Sequence, residues 1–143
     1  MPYRPAFDPD LQPTDAILAQ ARQTQGRARQ LHWIKEWEPT TGLTDEQLSQ
    51  IKQTLAQGYP VCGGFRWPKE AIWDKGVLRM CPASEVFDGH SVLLEGYRDD
   101  PTQPGGGLFA IRNSGGESRN GSLSYEYVVA YMNDAAWIEP AFK

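Results

Sequence analysis

Residues 90–114 read HSVLLEGYRDDPTQPGGGLFAIRNS. Two apolar runs, 91–99 and 107–114, flank a loop holding Pro101, Pro104 and the glycines 105–107. Such a loop continues neither a helix nor a strand, so the stretch predicts an antiparallel hairpin. Counted outward from the loop, His90 and Asn113 both fall at the open end of the ladder, neighbours in space although 23 positions apart. An amide oxygen beside an imidazole accepts its N–H, fixes tautomer and ring orientation, and leaves the other nitrogen to face a reactant. That is the base-and-orienter half of a nucleophilic site. From spacing alone the plainer reading is a strand-end histidine that caps a turn.

Around this hairpin the chain supplies further short runs. YPVCGGFRW (59–67), AAWIEP (135–140) and RQLHWIKEW (29–37) predict strands. TDEQLSQIKQTLAQG (44–58) predicts a helix: Thr44 and Gln47 form a capping box, Leu48, Ile51 and Leu55 share a face, and Gly58 follows the end. A second helix is predicted after Thr14 through DAILAQARQ, ending by Gly26, behind an extended lead-in over residues 1–13. SYEYVVAYMND (124–134) is apolar at helical spacing and ambiguous in type. The expected class is α+β, a single domain over residues 1–143: an antiparallel, β-barrel-like sheet with one or two packed helices.

Composition excludes more than it assigns. A net charge of −4 provides no basic stripe for nucleic acid, and no apolar run approaches the roughly 20 residues of a membrane helix. The start MPYRPAFDPD lacks the basic-then-apolar pattern of a secretory signal, which makes cytoplasmic the default compartment. Cys62 and Cys81 are too few for a disulfide framework, and with His32 and His90 they show no metal-ligand spacing. No cofactor is implied. His32 reads as a packed or surface strand residue, and Asp99-Asp100 as a solvated turn.

The run Gly89-His90-Ser91-Val92-Leu93-Leu94-Glu95-Gly96-Tyr97, followed by Phe109-Ala110-Ile111-Arg112-Asn113-Ser114, resembles the C-terminal half of papain-like cysteine peptidases. In that family G-H-A-V-x-x-V-G-Y carries the catalytic histidine, and I-K/R-N-S-W-G carries the asparagine that orients it. IKQTLAQGYPVCGGF is similar to the family's helix and following P-V strand, SYEYVVAYMNDAAWI to the C-terminal stretch of bacterial members, and MPYRP to the piece after the family's helical half. The resemblance implies the C-terminal domain of the papain-like fold, with His90 as general base and Asn113 as its orienter. It also implies that Gly64 and Ser91 line a substrate pocket, roomy because both are small.

Two departures shape the expected function. The family's N-S-W-G continues here as Asn113-Ser114-Gly115-Gly116, without the tryptophan that screens the His–Asn bond; Trp67 and Trp137 are the candidates to replace it. The family's nucleophilic cysteine and its oxyanion glutamine belong to an N-terminal half, yet residues 1–58 contain no cysteine. Cys62 falls where the family keeps a packed strand residue, which predicts a buried thiol acting as a small hydrophobe. Cys81 falls in a loop before His90 and is the more accessible. The expectation is a peptidase portion acting on a peptide or protein substrate, its nucleophile supplied by a missing or separate N-terminal half. In the family the active site is the cleft between two domains, so this half alone would expose the inner wall of that cleft as an apolar patch in want of a partner. The alternatives are a non-catalytic module that binds a peptide or partner protein, and an enzyme with Cys81 as relocated nucleophile.

Overall fold

Helix α2 (Asp45–Ala56) forms as its sequence dictates. The Thr44 hydroxyl accepts from Gln47 N–H at 3.2 Å, and the Gln47 side chain accepts from Thr44 N–H at 3.0 Å. Its buried face is Ile51, Thr54 and Leu55. The computed structural model describes residues 12–25, 29–40, 42–114 and 120–140. The chain divides into two compact units, residues 1–30 with 140–143 and residues 31–139. In the first, helix α1 (Asp15–Gln25) starts at Thr14, whose hydroxyl accepts from Ile17 N–H at 3.4 Å. The lead-in before Gln12 and the stop at Gly26 lie outside the described residues.

The second unit is built on a sheet. Its strands are β1 (Arg29–Lys35), β2 (Val61–Pro68), β3 (Trp73–Asp74), β4 (Val77–Leu78), β5 (Val86–Asp99), β6 (Gly107–Arg112), β7 (Gly121–Ser124) and β8 (Met132–Pro140). They lie in the order β1-β8-β2-β5-β6-β7-β4-β3. Every register resolved is antiparallel except the β4–β7 pair. Helix α3 (Tyr125–Tyr131) resolves the ambiguous stretch: Ser124 caps it by accepting from Tyr127 N–H, and β8 follows without a loop.

The class is therefore α+β, and the sheet is open rather than closed into a barrel. Closure needs two edge strands long enough to pair. Here one edge, β3, has only two residues, Trp73 and Asp74.

The expected hairpin is β5–β6, in register from Leu93↔Arg112 to Asp99↔Gly107 around the Pro/Gly loop. Val61, Phe65, Leu94, Phe109, Leu123, Tyr127, Val128 and Met132 are buried in one core with Ile51 and Leu55 of α2. That core fixes β2, β5 and β6, the strands that carry Gly64, Ser91 and His90 and lead into Asn113.

Candidate active site

At the open end of the hairpin, His90 Nε2 lies 3.2 Å from Asn113 Oδ1. An amide oxygen only accepts, so this contact puts the proton of the neutral ring on Nε2 and leaves Nδ1 the basic atom. Among the described residues, Nδ1 has no hydrogen-bond partner. The pair is half-buried.

Two local features place these side chains. On β2–β5, Phe65 pairs with His90, yet Trp67 pairs with Phe87, so β5 carries one extra residue over this interval. The bulge holds Gly89 at φ 101, a left-handed backbone open to glycine at no steric cost. A bulge immediately before His90 re-aims its side chain at the hairpin's end. Asn113 stands one residue past β6, and its backbone N–H donates to Asn120 Oδ1 at 2.8 Å. That bond ties Asn113 to the residue before β7.

Of the two tryptophans proposed to cover the pair, Trp67 packs on the His90 ring and Trp137 does not. The Trp67 ring centroid is 4.5 Å from that of His90, with the planes at 61°. Trp137 instead stacks on His32 at 4.2 Å and tilts against Tyr59 at 4.7 Å. His32 is also held by Glu139 Oε2 at 3.1 Å, as a packed strand residue.

Gly64 and Ser91 are direct partners across β2–β5. They stand on the rung next to Phe65 and His90, so the pleat points them to the opposite face from His90. The space that Gly64 leaves is not an empty pocket. Its N–H donates to Asp134 Oδ1 at 3.0 Å, and a Cβ on Gly64 would come within 2.4 Å of Asp134 Oδ2. The roominess expected from two small residues is taken up by this carboxylate from β8, which sequence reading gave no sign of. By strand alternation the same face carries Cys62, Ile138, Leu31 and Trp33, all exposed.

Cys62 corrects a second expectation, since its residue is exposed, not buried. In β2 the burial alternates, with Val61, Gly63, Phe65 and Trp67 turned to the core and Cys62 to the other side. Both cysteines are free. Partial desolvation, then the Asp134 carboxylate, pushes the Cys62 thiol above its ordinary pKa. Cys81 packs against the core, and desolvation followed by Glu85 pushes its thiol up as well. Activation of a thiol needs the opposite shift. Cys81 lines a groove of about 530 Å³ with Pro68, Lys69, Arg79, Met80 and Glu85, and His90 is not among the groove's lining residues.

Among the described residues, no group of three or more His, Cys, Asp or Glu is placed to hold a metal ion, and no helix is long and apolar enough to cross a membrane. No protein-family model and no curated protein matches this chain.

Proposed function

We propose that this chain supplies the general base and orienting amide of a papain-like cysteine peptidase, as the C-terminal domain of that fold, with the nucleophilic cysteine on an N-terminal half that is missing or separate. The observation that carries this reading is the 3.2 Å contact of His90 Nε2 with Asn113 Oδ1, which leaves Nδ1 uncommitted. The motifs around both residues support it. In the assembled site Nδ1 takes the thiol proton, and the thiolate attacks the peptide carbonyl carbon. The imidazolium then returns that proton to the departing amine, and water hydrolyses the acyl-enzyme.

The test is reconstitution. The chain alone should hydrolyse no peptide substrate. Supplied with a papain-like N-terminal half carrying the cysteine, it should do so, and His90→Ala should lower the rate by about 10²–10⁴-fold, the worth of a general base. Hydrolysis by the chain alone, abolished by His90→Ala, would sink the divided-site reading. Reconstituted activity indifferent to His90→Ala would sink the assignment of the base.

The second reading is a non-catalytic module that binds a peptide or partner protein. The exposed apolar residues Leu31, Trp33 and Ile138, on the sheet face opposite His90, favour it. Against it stands the restraint of His90 by Asn113 and Trp67, which a mere binding surface does not need. The raised Cys81 thiol also weighs against a nucleophile relocated to Cys81.

A further inference from the structure

We propose that Trp67 is the positioning residue of this site: its indole, packed at an angle against the His90 imidazole, holds the ring where Nε2 stays on Asn113 and Nδ1 faces outward. The proposal rests on the reading of His90 as base, but its test concerns the imidazole alone.

One hydrogen bond does not fix an imidazole. At 3.2 Å the His90–Asn113 contact is at the long end for N–H to oxygen, and it leaves the ring free to swing about the bond. A second constraint has to come from packing. The centroid separation of 4.5 Å and the 61° between planes make Trp67 that constraint, in the edge-to-face geometry that aromatic pairs prefer.

The indole is itself immobilised. It is buried, with Phe65 at 6.5 Å, Tyr127 at 6.2 Å and Trp73 at 6.4 Å around it. Tyr127 is in turn pinned to the β2 backbone, its hydroxyl donating to Arg66 O at 2.7 Å. A side chain held on several sides can hold another.

The contact also depends on the bulge. Trp67 and His90 are not register partners, since Trp67 faces Phe87 across the ladder. The extra residue in β5 at Gly89 brings the two rings together.

The experiment is proton and nitrogen NMR of the histidine side chains in the free chain, with His32 as internal control. In the wild type, neutral His90 should be mainly the Nε2–H tautomer, with a slowly exchanging proton. Trp67→Leu should speed exchange of that proton by about three- to tenfold, the scale of one aromatic pair, with His32 unmoved. Trp67→Phe, which keeps a ring, should stay near the wild-type values. A folded Trp67→Leu chain with His90 exchange unchanged overturns the proposal, as does a folded Trp67→Phe chain that has lost the slow exchange. Should Trp67→Leu not fold, Asn113→Ala decides. Nuclear Overhauser contacts from His90 ring protons to the indole should survive the loss of the amide, and their disappearance refutes positioning by Trp67.

Discussion

The β5–β6 hairpin carries a polar cluster at each end, and the two are built on different plans. At the closed end Asp99 Oδ1 accepts from Lys52 Nζ at 2.6 Å and from the Tyr125 hydroxyl at 2.8 Å. Lys52 also sits over the rings of Tyr97 and Tyr125, at 5.0 and 5.2 Å. That cluster joins α2, α3 and the hairpin, with both donors closing on one carboxylate oxygen. At the open end His90 and Asn113 are held by one hydrogen bond and one aromatic contact, and among the described residues Nδ1 has no partner. A satisfied cluster adds to stability; an unconsumed basic atom in a restrained ring is what a reaction needs.

The comparison makes mutation costs uneven along one ladder. Phe109, wholly buried and packed on Tyr125 at 4.7 Å, belongs to the closed end. Phe109→Ala should cost about 3–5 kcal/mol in denaturant unfolding, whereas Asn113→Ala should cost about 1 kcal/mol or less. Similar costs for the two would erase the distinction between the ends.

Gly89→Ala sharpens it. A Cβ at Gly89 meets nothing within 4 Å, so the penalty is that of the φ 101 backbone alone, about 1–2 kcal/mol. The variant should fold and yet lose the slowly exchanging His90 Nε2 proton, because relief of the bulge re-aims the ring. Retention of that proton would show that the bulge does not set the orientation.

The smallest effect is one of pH. The hydrogen bond from Lys52, then that from Tyr125, holds the exposed Asp99 carboxyl below its usual pKa. A carboxyl lowered by folding stabilises the native state above its unfolded pKa of about 4, and that contribution fades as pH falls through the lowered value. Lys52→Met should therefore separate from the wild type in stability near neutral pH and converge with it in acid. Parallel curves across that range would remove Lys52 from the cluster.

Much of this arrangement was legible in the residues. The α2 capping box and the hairpin follow from local chemistry, and the hairpin alone brings His90 beside Asn113. Strands β3, β4 and β7 were not legible, because two to four residues are too few to show a period. Helix α3 hid its type because Tyr125, Tyr127, Val128 and Tyr131 are all buried, which blurs its helical face. Strand β5 starts at Val86, earlier than its alternation suggests, since the bulge at Gly89 breaks the two-residue rhythm. The same break hid which tryptophan meets His90. Cys62 was misplaced because an apolar run does not say which of its residues turn to the core. Asp134 beside Gly64 and Asn120 behind Asn113 are pairings across the fold with no local signature.

The bond from Asn113 N–H to Asn120 Oδ1 has a structural consequence. It joins the two ends of an interval whose outer strands are already locked in register, from Leu108↔Ser124 to Ile111↔Gly121. The placement of Asn113 is therefore fixed from the β7 side as well as from β6, and Asn120 stands one bond away from the amide that holds the histidine.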